Sequence, residues 1–257
     1  MDLREAQEEG AARHPWEVAR FRFFEEVLHR ATTAGEPLKV LDVGSGDSWF
    51  ARSLLPGLPA GSSIECWDAE YTDRDLAQTF GGASSGGASA LKRTAKKPDT
   101  RADVLLLLDV LEHVENDFAF LDTLVRDNTH AGSIVLVSVP AWNGLFTAHD
   151  TQLKHFRRYS PASGADLLRR CGLAIEEQGG LFHSLLAPRG VSKAVEVARA
   201  AFGLPAVMPP SAAWHGGALV TKLVGAALAV DNRASHLAAR HGVQIPGLSW
   251  WARCKTQ

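Results

Sequence analysis

The segment KVLDVGSGDSWFARSLL, residues 39–55, restricts the fold more than any other stretch of the chain. A short apolar run ends near Asp42, bends through Gly44-Ser45-Gly46, and resumes as an amphipathic stretch that reaches Pro56. Strand, tight glycine bend and helix make the first half of a βα unit, and such units stack into a parallel sheet covered on both faces. The same rhythm recurs downstream. SSIECWD (62–68) predicts a strand ending at an acidic residue, and the unbroken apolar runs ADVLLLLDV (102–110) and GSIVLVSVP (132–140) predict strands buried on both sides. DFAFLDTLVRD (117–127) reads as a helix between them. Ahead of the first strand, HPWEVARFRFFEEVLHR (14–30) places Trp16, Ala19, Phe23 and Val27 at helical spacing, with Gly35 and Pro37 closing the helix.

Ser160-Pro161 supplies an N-cap and a proline at the first helical position, and Gly172 stands where that helix should stop. LAIEEQGG and LSWWARCKT (248–256) are the last strand candidates. This alternation predicts an α/β fold with a doubly wound, mainly parallel sheet. Residues 184–245 break it: they are alanine-rich, helical in pattern, punctuated by Pro188, Pro205 and Pro209-Pro210, and read as a helical insertion before the last strand. GGASSGGASA (81–90) is low in complexity and reads as a flexible loop.

Several classes fall away on composition. With 27 basic and 29 acidic residues the net charge is −2, so no global field points to nucleic acid. Cys66, Cys171 and Cys254 have no metal-ligand spacing, and their odd number suits a reducing compartment. The start, MDLREAQEEG, has no apolar core of a secretory signal. The longest apolar stretch, GALVTKLVGAALAV (217–230), contains Lys222 and falls short of the roughly 18–20 residues of a membrane span. A cytoplasmic protein without a transmembrane segment is the expectation.

What the glycine bend holds can be argued from its neighbours. A dinucleotide-binding G-x-G-x-x-G needs a small third residue, where this chain has Trp49, and Asp42 would bring negative charge towards a pyrophosphate. Two acids, Asp42 and the downstream Asp68, instead suit a nucleoside that carries a cationic centre and no phosphate, one acid meeting the ribose hydroxyls. S-adenosylmethionine has that chemistry. At these residues the chain resembles the class I, Rossmann-like S-adenosylmethionine-dependent methyltransferases, over roughly residues 14–190. VLDVGSGDSWF is similar to their first motif, IECWD to their second strand, and LLLLDVLEHVEND to their fourth-strand segment. Within that superfamily the chain resembles bacterial small-molecule enzymes with HPW near the start, DVLEHV after strand four, and the sequence SVPAWNGLF, AHD, HFRRY after strand five.

The resemblance implies a seven-stranded sheet and a division into a cofactor core (1–183), a helical acceptor-binding element (184–245) and a returning final strand (246–257). It implies that Asp42, Gly44, Ser45, Gly46, Asp68, Asp109, Val110 and Leu111 contact the cofactor, and that the N-terminal helix crosses the cofactor pocket. The family's adenine-contacting acid has no clear counterpart in GGASSGGASALKRTAKKPD.

Methyl transfer needs alignment of two partners more than it needs a strong catalyst, and a base only where the nucleophile carries a proton. FTAHDTQLKHFRRYS (146–160) is dense in suitable groups: His149 and Tyr159 are catalytic candidates, and His155, Arg157 and Arg158 are candidates for holding an anionic acceptor. His14, Arg20 and His183 join them as acceptor-site candidates. A metal set of His149, Asp150 and His155 has irregular spacing and no further ligand, so no metal is expected, and a purely structural network is the competing use of the segment. GALVTKLVGAALAV could pack in the core, pair two copies of the chain, or face a hydrophobic acceptor. The expected activity is transfer of a methyl group to oxygen or nitrogen of a small molecule or natural product. A peptide, protein or lipid-linked acceptor, a non-catalytic binding or assembly module, and an NAD-dependent oxidoreductase are the alternatives.

Overall fold

The computed structural model describes residues 13–33, 35–77, 90–205, 214 and 216–257. Its centre is a seven-stranded sheet in the order β3-β2-β1-β4-β5-β7-β6. The strands are β1 (Lys39–Val43), β2 (Ser63–Trp67), β3 (Ala90–Thr94), β4 (Ala102–Leu108), β5 (Thr129–Pro140), β6 (Leu173–Leu181) and β7 (Ser249–Thr256). Pairs among β1 to β5 are parallel, and β7 runs antiparallel between β5 and β6. Strand order reverses on either side of β1 and β4, which sets a cleft beyond their carboxyl ends.

Alternation along β4 shows how both faces are filled. Val104, Leu106 and Leu108 join one core with Phe23, Phe24 and Trp251, whereas Leu105 and Leu107 join the other with Leu121, Leu168 and Trp250. Helix α1 (Pro15–Ala31), α2 (Trp49–Leu54) and α8 (Ala218–Arg240) cover the first face. Helices α4 (Asp117–Asn128) and α6 (Pro161–Arg170) cover the second, and the short α3 (Asp73–Ala77) and α5 (Ala148–Gln152) lie in the connections.

HPW is a helix-start device. His14 is the N-cap of α1, its Nδ1 accepts from the Trp16 N–H at 3.3 Å, Pro15 fills the first position, and Glu17 accepts from the His14 N–H at 3.3 Å. Among its described residues the inserted stretch has unlike helices, α7 (Leu186–Ala201) and α8. Helix α7 buries none of its residues, and Val191, Val195 and Val197 are exposed. The first turns of α8 expose Leu219 and Leu223, but its second half grips α1: Asn232 Nδ2 donates to the Ala19 carbonyl at 2.8 Å, and His236 stacks on Phe23 with centroids 4.2 Å apart. Among the described residues no helix is long and apolar enough to cross a membrane.

One strand was not anticipated from the sequence. The loop expected over 81–90 lies outside the described residues except for Ala90, which opens β3. β3 itself, ALKRT, has too little apolar character for its pattern to be read, because an edge strand needs only one neighbour and little burial.

Helix α6 passes so close to the sheet that a Cβ on Gly164 would lie 2.5 Å from the Trp250 ring. Gly164→Ala should therefore lower stability in urea unfolding by ~1–3 kcal/mol through overpacking, although helix propensity alone would raise it by about 1 kcal/mol. A more stable variant would mean that the Trp250 ring can move aside.

Candidate active site

Strand β1 gives way to the glycine bend at Gly44 (φ +63°) and Gly46 (φ +54°), both left-handed. A Cβ on Gly44 would also come within 2.8 Å of Val110, so the bend needs glycine for conformation and for space. Neighbouring strands brace it. The Gly44 N–H donates to the Trp67 carbonyl at 2.7 Å, and the Gly46 N–H to Asp68 at 2.9 Å. The Tyr71 hydroxyl meets Ser45 and Ser48 at 2.7 and 2.6 Å, while Arg93 of β3 donates to Ser48 at 2.9 Å and to the Asp47 carbonyl at 2.6 Å.

A narrow crevice beside the bend is bordered by Arg20, Asp42, Gly44, Asp47 and Trp49. Asp42 Oδ2 is buried there without a hydrogen-bond partner, and burial pushes its carboxyl up to about 7. Asp68 sits at the end of β2, as expected, but both its oxygens already accept from backbone, from Gly46 and, at 2.9 Å, from Glu70. Each oxygen keeps a second lone pair for a ribose hydroxyl. Trp49 has a simple use: it begins α2 and packs edge-on against Phe21 of α1, with centroids 5.6 Å apart and Arg13 over its ring at 5.0 Å. Helix α1 thus closes over the bend, and an ion pair from Arg13 to Asp47 reinforces the closure.

Beyond β4, Asp109 has the unusual left-handed φ of +60° for a non-glycine residue, as active-site residues sometimes do. Its N–H donates to the Ser138 carbonyl at 2.9 Å, and its carboxylate accepts from the Ser138 hydroxyl at 3.0 Å and pairs with Arg20. Burial would raise this carboxyl, yet the Arg20 charge and the Ser138 hydroxyl hold it below the usual range. Arg20 borders the crevice on one side and, on the other, a cavity of about 240 Å³. Trp16, Glu112, His149, Asp150, His155, Arg158 and Arg189 help to line that cavity.

Asp150 organises one wall. Fully buried, it accepts from the Thr147 N–H at 2.8 Å, from Arg158 Nε at 2.8 Å and from His155 Nδ1 at 3.1 Å, and it pairs with Arg189 of α7. Burial would raise its carboxyl, but the His155 and Arg158 contacts hold it far below the carboxylate range. His149 lies beside it with Nδ1 buried and without a hydrogen-bond partner; burial, then the Arg189 charge, lowers its pKa below 6.5. Glu112 is buried too, and burial followed by the Asp109 charge raises its carboxyl well above the ordinary value.

Of the expected acceptor and catalytic residues, Arg20, His149, His155 and Arg158 meet at the cavity, and four others do not line it. His14 caps α1. The Tyr159 hydroxyl has two acceptors within reach of its one proton, Asp117 at 2.7 Å and the Leu111 carbonyl at 3.1 Å. Arg157 pairs with Asp117 at 2.8 Å and donates to the Glu115 carbonyl at 2.6 Å. Both ring nitrogens of His183 are engaged, one with the Pro246 carbonyl at 2.6 Å and the other with Ser235 at 2.9 Å. Val110 and Leu111 are buried against the bend and under the turn after β4. Arg189, which LFHSLLAPRG offered together with His183 as an acceptor-site candidate, does line the cavity. Sequence reasoning missed Tyr71, Arg93 and Glu112 as site residues; only Glu112, inside DVLEHV, stood in a motif that marked it.

This sheet order and glycine bend are those of the class I, Rossmann-like fold, with helices inserted before the last strand, and the family match makes the chain an S-adenosylmethionine-dependent methyltransferase. The chain belongs to the methyltransferase-domain family, whose family model matches residues 16–178. It is 26% identical over 190 residues to an uncharacterized methyltransferase of Mycobacterium leprae, covering 72% of this chain and 67% of that protein. It is also 26% identical over 162 residues to the ubiquinone biosynthesis O-methyltransferase of Rickettsia bellii, covering 58% of this chain and 66% of that one. The matches therefore span about two thirds of each relative's length. Among solved structures, a putative sarcosine dimethylglycine methyltransferase from Galdieria sulphuraria superposes with a TM-score of 0.54 at 14% identity, covering 93% of this chain and 86% of that one. The [4+2]-cyclase SpnF superposes with a TM-score of 0.50 at 13% identity, covering 96% and 84%. These two likenesses are of fold, which one architecture lends to different chemistries.

Because the folded state raises the Asp42 carboxyl to about 7 against roughly 3.9 in an unfolded chain, the stability it contributes is whole below pH ~4 and lost as pH rises through 7. Asp42→Asn should thus raise unfolding stability at pH 8 by ~1–3 kcal/mol and change it little at pH 4. Equal effects at both pH values would show that the Asp42 charge is not what burial penalises.

Proposed function

We propose that the chain transfers a methyl group from S-adenosylmethionine to an oxygen or nitrogen atom of a small-molecule acceptor held in the 240 Å³ cavity. One observation carries this reading: Arg20 borders both the crevice at the glycine bend and that cavity, so the two compartments adjoin. The residues present fit the cofactor. The unpartnered oxygen of Asp42 suits its ammonium group, the bare backbone at Gly44 and Gly46 lets its amino-acid part lie close, and Asp68 suits the ribose hydroxyls. Asp109, Val110 and Leu111 would flank the methionine end, and Arg20 would meet its carboxylate. When bound, the cofactor supplies a methyl group on a sulfonium, which is already electrophilic.

The protein's part is then to orient the acceptor and exclude water. His149 stays neutral at physiological pH because burial lowers its pKa, so its unpartnered nitrogen is available to take a proton from an acceptor hydroxyl. Arg158 and Arg189 both pair with Asp150 and line the cavity, so their guanidinium groups are placed to orient a polar acceptor. Residues 184–245 contribute Arg189, and Glu196 accepts from the Ala148 N–H at 2.9 Å; both support an acceptor-binding role for the insertion. The O-methyltransferase relative supports oxygen as the atom methylated. Three buried, unpaired cysteines are consistent with a cytoplasmic setting.

Methyl-labelled cofactor incubated with phenolic and carboxylate acceptors should yield labelled product, and S-adenosylhomocysteine should bind where NADH does not. Tight NADH binding would overturn the reading. His149→Ala should lower kcat by roughly 10²-fold while S-adenosylhomocysteine affinity is retained, and the acidic limb of the wild-type rate profile should lie below pH 6.5.

A further inference from the structure

A second set of ligand-type side chains includes His155 but not Asp150. Glu112 and His113 form the turn after β4, and His155 follows α5. One carboxylate oxygen of Glu112 and one ring nitrogen of each histidine lie within 4.8 Å of one another, and the two imidazoles meet edge-on with centroids 4.6 Å apart. Donors held at about 2.0–2.2 Å around one ion stand roughly 3–4 Å apart, so small side-chain rotations would close the set.

We propose that Glu112, His113 and His155 bind a divalent transition-metal ion. The first support is Glu112 itself: it is 1% exposed, lines the cavity, and its Oε2 has no hydrogen-bond partner. A buried carboxylate oxygen without a donor is rare and calls for a ligand. The second is the tautomer of His155. Its Nδ1 lies 3.1 Å from Asp150, a carboxylate that can only accept, so Nδ1 carries a proton and Nε2 is the ring nitrogen left to bind an ion. Asp150 is in turn fixed by Arg158 and Thr147, the outer-shell arrangement that orients metal-binding histidines. Those same contacts surround Asp150 with cations and remove it from the ligand set that the sequence suggested.

The scaffold joins the two ligand segments across more than 40 residues. The Phe156 N–H donates to the Glu112 carbonyl at 2.8 Å, and the Arg157 and Tyr159 contacts described above fasten the same segment to residues 111–117. Two imidazoles and one carboxylate are a donor set used for zinc and for non-haem iron(II), and three protein ligands leave a coordination position open. All three side chains line the cavity, so in the methyl-transfer reading an acceptor oxygen would complete the ion's coordination.

The test needs neither cofactor nor acceptor, so its outcome is separate from that of the methyl-transfer reading. The full chain, stripped of metal with a chelator, is titrated with Co²⁺ and followed by visible absorption, then back-titrated with Zn²⁺. One equivalent should bind with ligand-field bands, and Zn²⁺ should abolish them. Glu112→Gln and His113→Gln should each weaken Co²⁺ binding by at least roughly 10–100-fold, the loss that even an outer-shell change causes. Thermal melts of the metal-free variants identify any that fail to fold, and the half-exposed His113 gives the second variant if the first does. Absence of stoichiometric uptake by the folded chain, or uptake unchanged in a folded variant, would overturn the proposal.

Discussion

A single buried carboxylate, Asp150, holds together elements that are otherwise far apart in the chain. It receives hydrogen bonds or charge from Thr147, His155, Arg158 and Arg189, which lie at the N-cap of α5, on the segment after α5, and on α7. In a low-dielectric site such a carboxylate is tolerable only with its partners in place, and losing the carboxylate would leave Arg158 and Arg189 with uncompensated charge. The cavity wall, the docking of α7, and the orientation of His155 therefore stand or fall as one network.

The rest of the site depends on left-handed backbone in two places. Gly44 and Gly46 turn the chain away from β1, and Asp109 takes a left-handed conformation immediately after β4. Both lie where the sheet order reverses, so the crevice and the cavity open at the point that a parallel sheet leaves unfilled. Helix α1 closes that gap from above, and α8 holds α1 in place through Asn232 and His236.

Much of this was legible in the sequence because it is written in local periodicity. The apolar runs of β4 and β5, the 3.6-residue spacing of α1, and the glycines at the end of β1 each have a short-range physical cause. β3 was not legible, since ALKRT carries neither alternation nor length, and the preceding glycine-serine stretch masked its start. The site residues divide in the same way. Asp42, Gly44, Gly46 and Asp109 stand in motifs, whereas Tyr71 and Arg93 act on the bend through contacts 23–45 residues away that no local pattern encodes. HFRRY was visible as a charged cluster, but its division of labour was not. Tyr159 and Arg157 face Asp117 while His155 and Arg158 face Asp150, a split decided by which neighbour each side chain meets.

Arg20 has one further consequence. Its guanidinium neutralises Asp109 while forming the partition between crevice and cavity, so both compartments draw on the same positive charge. An anion that claims Arg20 from the crevice leaves Asp109 more negative towards the cavity, and a cation is then better received there. Occupancy of the two chambers is thereby linked through a single side chain, and the order in which they fill becomes a property of that partition.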